Sequence, residues 1–310
     1  MSLASQTPLR SASRASTPGA ANVCAVVVTY FPDDKLEARL RAVLPQVARL
    51  VVVDNTPGEA TQLGQRMAAL GDSVHCIING TNQGVATALN QGLGHALGQG
   101  LPWLLTLDQD SCAQPDMVAV LARALESSQP RPAVIGSNYM DPVNQRLKIS
   151  VGNEVVGVEQ KTVITSGSLV DAAVARDIGG FRDDYFIDQL DHEFCLRMRA
   201  HGYRVVISGP PAMVHSVGLT GGARLPVLGT LPNHGPVRKY YIARNTVTTV
   251  ALYWRHEPVW CVRRLVRLFL GLAEMALLED RRLLKVQAFF WGLWDGWRGR
   301  MGPCQRDLVG

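Results

Sequence analysis

Asp108-Gln109-Asp110 closes the apolar run Trp103-Leu104-Leu105-Thr106-Leu107. At an extended strand end, residues two apart point to the same side. Two carboxylates so placed repel unless a cation neutralises them. A hard divalent ion that also holds phosphate oxygens would do so. The bland alternative is a polar strand end, with one Asp capping a helix after Pro115. A second acidic cluster is Asp188-Gln189-Leu190-Asp191-His192-Glu193. If Asp188 caps a helix, Asp191 lies one turn on, on the same face, and Glu193 points elsewhere. That spacing suits a general base held near the first acidic pair; the alternative is a cap with exposed acids. His215, as a neutral imidazole, can complete an oxygen-rich metal site, although a lone histidine also serves purely structural ends. Arg238-Lys239-Tyr240-Tyr241-Ile242-Ala243-Arg244-Asn245 combines fixed cationic donors with aromatics. It suits a diphosphate or the start of an amphipathic helix.

These residues need a frame that brings them together. Val23–Tyr30, Leu50–Asn55, Val74–Ile78 and Leu104–Leu107 are short β-branched or apolar runs, which read as buried strands. Helical stretches lie between them, at Lys35–Val47, from the turn Thr56-Pro57-Gly58 to Leu70, and at Val85–Leu97. Strand–helix alternation predicts a doubly wound, mostly parallel sheet, and ligands then gather at the carboxyl ends of the strands. Three strands end in polar groups there: Thr29-Tyr30, Asp54-Asn55 and Asp108-Gln109-Asp110. The loop Asn79–Gly84 carries neither a P-loop nor Gly-x-Gly-x-x-Gly, which disfavours those two nucleotide sites. Val134–Gly136 and Tyr203–Ile207 read as further strands, the latter broken by Pro210-Pro211. Met140–Val158 has antiparallel character. Val163–Val170 reads as a strand with a small polar centre, where backbone or substrate can approach closely.

At 310 residues, 47% apolar and 18% charged, the chain has ample material for a core. Six scattered cysteines without Cys-x-x-Cys point to reduced thiols and a cytoplasmic setting. The net charge of +5 is unevenly placed: from Val237 onward, thirteen Lys and Arg face six Asp and Glu, so the remainder is slightly acidic. A basic C-terminal quarter fits an anionic membrane surface or nucleic acid; the reading favours the membrane and no nucleic acid. No apolar run reaches the roughly 18 residues of a bilayer span. A helix near Val262–Leu278 pairs an apolar stripe with Arg263, Arg264 and Arg267, and Trp291, Trp294 and Trp297 recur three apart. That pattern predicts peripheral contact with the inner face of the plasma membrane. The alternative is packing onto the core or a second subunit, as in a homodimer. Residues 1–22, rich in Ser, Ala, Thr and Pro, read as a disordered tail. The division expected is therefore 1–22 tail, 23–236 catalytic domain and 237–310 basic amphipathic helical extension.

Taken in order, these motifs resemble the inverting family 2 glycosyltransferases of GT-A fold, in particular bacterial rhamnosyltransferases of surface-polysaccharide and O-antigen synthesis. The resemblance rests on Val-Val-Thr-Tyr (27–30), Val-Val-Asp-Asn (52–55), Asn82-Gln83-Gly84 and Leu-Asp-Gln-Asp-Ser (107–111). It continues through Gly179-Gly180-Phe181, Phe186-Ile187-Asp188 with Asp191–Arg197, His215-Ser216-Val217-Gly218 and Tyr240–Asn245. It implies an α/β, Rossmann-like sheet flanked by helices, with a C-terminal helical extension. It implies that Thr29, Tyr30 and Asp54 hold the base and ribose, and that Asn82 and Gly84 line the nucleotide pocket. Asp108, Gln109 and Asp110 would meet the donor diphosphate. Asp108, Asp110 and His215 would hold Mg²⁺ or Mn²⁺, and Asp191 would be the catalytic base. Arg244 would stabilise the leaving diphosphate. Leu190 stands where many members have Glu, so Asp188 or Glu193 would assist the base instead. The implied partners are dTDP-L-rhamnose and a saccharide or lipid-linked acceptor.

Two rivals stand beside this reading. A sugar-nucleotide nucleotidyltransferase carries a Gly-rich, Arg/Lys-containing loop after its first strand, and Thr29-Tyr30-Phe31-Pro32 is not one. A non-catalytic carbohydrate- or membrane-binding module has no use for repelling carboxylates at 108, 110 and 191.

Overall fold

The computed structural model describes residues 10–11, 15–58, 61–142, 145–215, 224–225, 229–230 and 233–308. Ser216-Val217-Gly218 and much of the 1–22 tail lie outside them.

The first half alternates as the apolar runs demand. It comprises β1 (Val23–Thr29), α1 (Leu36–Val43), β2 (Arg49–Asp54), α2 (Thr61–Ala68), β3 (Val74–Ile78), α3 (Val85–Gly98) and β4 (Trp103–Asp108). β5 (Cys112–Ala113), α4 (Met117–Glu126), β6 (Val134–Asp141), β7 (Arg146–Leu147) and β8 (Gly157–Glu159) follow. Then come β9 (Ser168–Asp171), α5 (Ala172–Asp177), α6 (Leu190–Ala200) and β10 (Val205–Val214). Three long helices close the chain: α7 (Pro236–Tyr253), α8 (Pro258–Leu278) and α9 (Arg282–Trp297).

The sheet runs β3-β2-β1-β4-β9-β6-β10-β5. β1 pairs in parallel with β2 and β4, and β2 with β3; β9 lies antiparallel between β4 and β6. Alternate residues of one strand serve opposite faces. Val26, Val51 and Val53 pack with α3, α5 and α6, whereas Ala25, Val27, Leu50 and Val52 pack with α1, α2 and α4. Helices cover both faces, so the strands read as unbroken apolar runs. The helix–strand contact is close at Gly92, where an added Cβ would lie 2.3 Å from Val26 Cγ2.

Three local expectations change. β10 passes through Pro210 and Pro211 instead of stopping. Its pairing with β6 shifts register on either side of Pro211, and Asn138 Nδ2 donates to Gly209 O at 2.7 Å. The strand therefore bends, and it still delivers His215 to its end. The strand expected over 163–170 is confined to Ser168–Asp171, because Gly167 adopts φ +75°. A Cβ at Gly167 would lie 2.7 Å from Met213 Sδ, so the small centre does allow close backbone approach. Within the supposed disordered tail, Ala15 and Ser16 are held: Arg131 Nη1 and Trp103 Nε1 donate to their carbonyls at 3.0 and 2.8 Å.

Candidate active site

The carboxyl ends of β1, β2 and β4 open into one cleft of about 1060 Å³. Thr29, Tyr30, Asn82, Gly84, Asp108, Gln109, Asp110, Asp191 and His215 all line it. Asp54 sits just behind. Its Oδ1 accepts from Thr29 Oγ1 at 2.7 Å and from Thr56 Oγ1 at 2.9 Å. Its buried Oδ2 has no hydrogen-bond partner among the described residues. Gln109 does not point at the ligand space alone: its side chain both accepts from Tyr30 N (2.8 Å) and donates to Tyr30 O (3.2 Å). That reciprocal pair fixes the ends of β1 and β4 against each other.

The second glycine of the 79–84 loop is obligatory. Gly84 has φ +86°, and an added Cβ would lie 2.7 Å from Phe186 O. The next residue, Val85, donates its N–H to that same carbonyl at 2.7 Å. Asn82 Oδ1 accepts from Gly84 N, and Asn55 Nδ2 donates to Gly84 O. The 79–84 loop is thereby tied to the acidic segment 186–191.

Asp108, Asp110 and His215 each place a ligating atom within 4.8 Å of the others. His215 Nδ1 is 3.7 Å from Asp110 Oδ1 and 3.0 Å from Ser111 Oγ. Ser111 in turn meets Ser166 Oγ at 2.6 Å, and Ser166 Oγ accepts from Asp108 N at 3.1 Å. Burial pushes Asp108 up to about 6; Asp110 and Asp191 push the same way, while His215 and Arg238 oppose. A divalent cation would relieve that repulsion, and two carboxylates with one imidazole form a donor set that accepts one. The residues present fit a divalent metal.

Asp191 stands in the first turn of α6 and opens onto the cleft. Asp188 is no N-cap. It has φ +62°, its carboxylate is gripped by Arg238 at 2.7 and 3.2 Å, and α6 has no side-chain cap. It does line the cleft. Glu193 is 1% exposed, paired with Arg197 at 3.0 Å and accepting from Tyr253 Oη at 2.8 Å. Its carboxylate is committed to packing α6 against α7.

Arg244 is not a cleft residue. It is fully buried, and its Nη2 donates to the carbonyls of Asp184 and Tyr185 at 3.1 Å. The α7 residues that line the cleft include Arg238, Ile242 and Thr246, spaced four apart on one helix face. Arg244, six positions from Arg238, falls off that face. Helical spacing alone carried this signal. Further cleft residues escaped the sequence reading, among them His234, and Arg264 on α8, whose Nε donates to Gln189 Oε1 at 3.0 Å.

Residues 24–162 match the family model "Glycosyl transferase family 2". The chain is 29% identical over 295 residues to the dTDP-rhamnosyl transferase RfbF of Shigella flexneri, covering 91% of this chain and 97% of that protein. Among solved structures it is similar to GalNAc-T7 with UDP, GalNAc and Mn²⁺ (TM-score 0.57, 12% identity). That match covers 77% of this chain but only 49% of the other, so this chain spans about half its length. It is also similar to TarS 1–349 of S. aureus in complex with UDP (TM-score 0.52, 12% identity, 89% and 72% covered). The fold places this chain among the GT-A proteins, and residues 24–162, which carry most strands of the cleft, match the family 2 model; the chain is a glycosyltransferase with a family 2 domain.

Proposed function

We propose that the chain transfers L-rhamnose from dTDP-L-rhamnose to a hydroxyl of a saccharide or lipid-linked saccharide in surface-polysaccharide synthesis. The observation that carries the reading is the meeting of Asp108, Asp110, His215 and Asp191 on one cleft with Thr29, Asn82 and Gly84. The similarity to a dTDP-rhamnosyl transferase over almost the full length of both chains supports the donor. Asp191 takes the proton from the acceptor hydroxyl, whose oxygen attacks the anomeric carbon from the face opposite the nucleotide. The bond from that carbon to the diphosphate oxygen breaks, and configuration inverts. Mg²⁺ or Mn²⁺ held by Asp108, Asp110 and His215 would neutralise charge on the diphosphate. Arg238, held by Asp188, lines the same cleft and acts electrostatically on Asp108, adding fixed positive charge. Thr29 and Tyr30 meet the base and ribose, Asp54 braces Thr29 from behind, and Gln109 keeps the two strand ends in register.

A panel of dTDP-rhamnose, UDP-glucose and UDP-galactose with purified protein tests the donor. Use of dTDP-rhamnose over both UDP-hexoses is expected. A preference for a UDP-hexose would leave the family standing and end the rhamnosyl reading.

The same reading places the enzyme peripherally on the inner face of the plasma membrane through α8 and α9. Among the described residues no helix is long and apolar enough to cross a membrane. Val262, Val266, Phe269 and Leu270 form an exposed apolar patch on α8, and Trp291, Trp294 and Trp297 are exposed on α9. Arg264 does not belong to the basic border of this patch, because it turns into the cleft. Arg263 remains, while the exposed Arg267 also lines the cleft and pairs with Glu274.

A further inference from the structure

Beyond α9 the chain turns back on itself. Gly299 and Gly302 have φ of +69° and +85°, left-handed angles that let a chain leave a helix and reverse. Gly299 N–H returns to Gly296 O at 3.2 Å, and Arg300 N–H to Asp295 O at 2.8 Å. Residues 299–308 are then fastened along their length. Gly302 N–H donates to Asp184 O at 2.7 Å. Arg244 spans that junction, with Nη1 donating to Gly302 O and Nη2 to Asp184 O. Cys304 N–H donates to Tyr241 Oη at 2.7 Å. Arg306 pairs with the buried Asp295 at 2.7 and 2.8 Å and lies 3.9 Å from the centre of the Trp291 ring. Leu308 is 3% exposed, in a cluster with Tyr240, Tyr241 and Ala288 against which Phe186 and Ile187 pack.

These attachments converge on one wall of the cleft. Phe186, Ile187 and Tyr241 line it, and the chain runs from Phe186 through Asp188 and Gln189 directly into Asp191. Tyr241 stacks on Phe186 with ring centroids 5.2 Å apart and planes 15° apart. Phe186 O accepts the Val85 N–H at 2.7 Å. Phe186, Asp188 and Gln189 all have positive φ, a conformation that persists only where the surroundings impose it. The tail supplies part of those surroundings.

We propose that residues 299–308 are a positioning strap of the active site. Gly302, Cys304 and Leu308 hold residues 184–187, and through them Asp191, in working geometry. This rests on Asp191 being the base of the proposed function. It gives the tail a task in turnover that is separate from membrane contact. A misplacement of about 1 Å can cost about 10²-fold in rate, so a loosened strap acts on turnover before it acts on nucleotide binding.

The test compares Leu308→Ala, Leu308→Met and Tyr241→Phe with the unaltered full chain. Hydrogen exchange is followed at 184–191, at 299–308 and in β1. Affinity for dTDP is measured by calorimetry with Mn²⁺, and turnover as dTDP release from dTDP-rhamnose with water as the acceptor. Leu308→Ala should speed exchange at both 184–191 and 299–308 and leave β1 unchanged. It should lower kcat about tenfold, while dTDP affinity and KM change less than about threefold. Leu308→Met conserves volume and should restore most of kcat. Tyr241→Phe keeps the stacked ring and removes the acceptor of the Cys304 N–H, so it should move the same readouts in the same direction. Faster exchange confined to 299–308, with kcat unchanged, would show a tail that merely packs and overturn the proposal. So would a kcat loss without faster exchange at 184–191, or a loss in dTDP affinity alone. If the unaltered chain releases no dTDP from dTDP-rhamnose, the donor reading fails, and exchange at 184–191 still decides whether the tail holds that segment.

Discussion

Asn245 Nδ2 lies 2.9 Å from the backbone carbonyl oxygen of Asp188, and the same amide reaches Ile187 O and Tyr185 O at 2.8 and 3.0 Å. The segment it holds is strained: Phe186, Asp188 and Gln189 have φ of +63°, +62° and +63°. Non-glycine residues keep such angles only when surrounding contacts over-determine them. Here α7 supplies those contacts through Arg244, Asn245 and Arg238. Asn245→Ala removes a buried donor from several carbonyls, costing about 1–3 kcal/mol per stranded group. We expect a lower melting temperature and a turnover loss of about tenfold or more as Asp191 loses its placement. Nucleoside-diphosphate affinity should change little. Unaltered turnover would show that the segment holds itself.

Asp110→Ala takes one ligand from the Asp108–Asp110–His215 group. The side chain of Asp110 is 54% exposed, so the fold should persist. Metal-dependent binding of the nucleoside diphosphate should be lost by calorimetry, and intact metal-dependent binding would remove Asp110 from the site.

Asp191→Asn keeps shape and removes the proposed proton acceptor. A loss of at least about 10²-fold in turnover is expected, the usual scale for a general base, with nucleotide affinity nearly intact. Glu193→Gln gives the contrast. Its carboxylate is buried against Arg197 and Tyr253, so stability should fall while turnover per folded molecule is retained. Near-normal transfer by Asp191→Asn would move the base to Asp188.

Much of this site was legible because strands of the first half are buried on both faces. Apolar runs ending in Thr29, Asp54 and Asp108 marked both the strands and the ends that lie at the cleft. The rest depended on tertiary contacts that local patterns do not encode. Asp188 looked like a helix cap, yet a positive φ and the grip of Arg238 give it another task. Arg244 sat in the right motif, but the face of α7 that meets the cleft carries Arg238, Ile242 and Thr246. Arg264 was read as part of a basic border because Arg263, Arg264 and Arg267 all flank the apolar stripe of α8. Only its packing against the 188–191 segment separates the cleft side from the outer side.

Two histidines give the stability an acid limb. Burial pushes His192 down to about 4 from 6.5, with Arg264 and Lys148 adding to the shift and Asp191 opposing it. His234 is likewise pushed down to about 4 by burial and Arg238. The unfolded chain therefore takes up these protons first, and stability falls as pH drops from 6.5 toward about 4. Asp108, raised to about 6, works in the opposite direction and is common to wild type and variant. Melting temperature measured from pH 7.5 to pH 5 should fall less in a His192→Gln/His234→Gln variant. Parallel curves for the two chains would show that other groups set the acid limb.

The outer face of α8 poses the remaining question of what covers it. Val262, Val266, Phe269 and Leu270 are about half exposed, and Trp297 at the end of α9 is 73% exposed. Tryptophan favours the membrane–water boundary, where its ring is half buried and its N–H stays wet. The nearby cations are attracted to anionic lipid by about 1 kcal/mol each. Vesicle flotation should therefore show binding to anionic but not neutral vesicles, weakened by high salt. A Val266→Ser/Phe269→Ser variant should not float, while Arg263→Gln should weaken binding by about fivefold, the equivalent of one surface cation. Both changes lie away from the cleft, so transfer to a soluble acceptor should be unaffected. Absence of flotation with anionic vesicles at low salt would exclude the membrane. A sedimentation coefficient that falls in the Val266→Ser/Phe269→Ser variant would then identify a second copy of the chain as the cover.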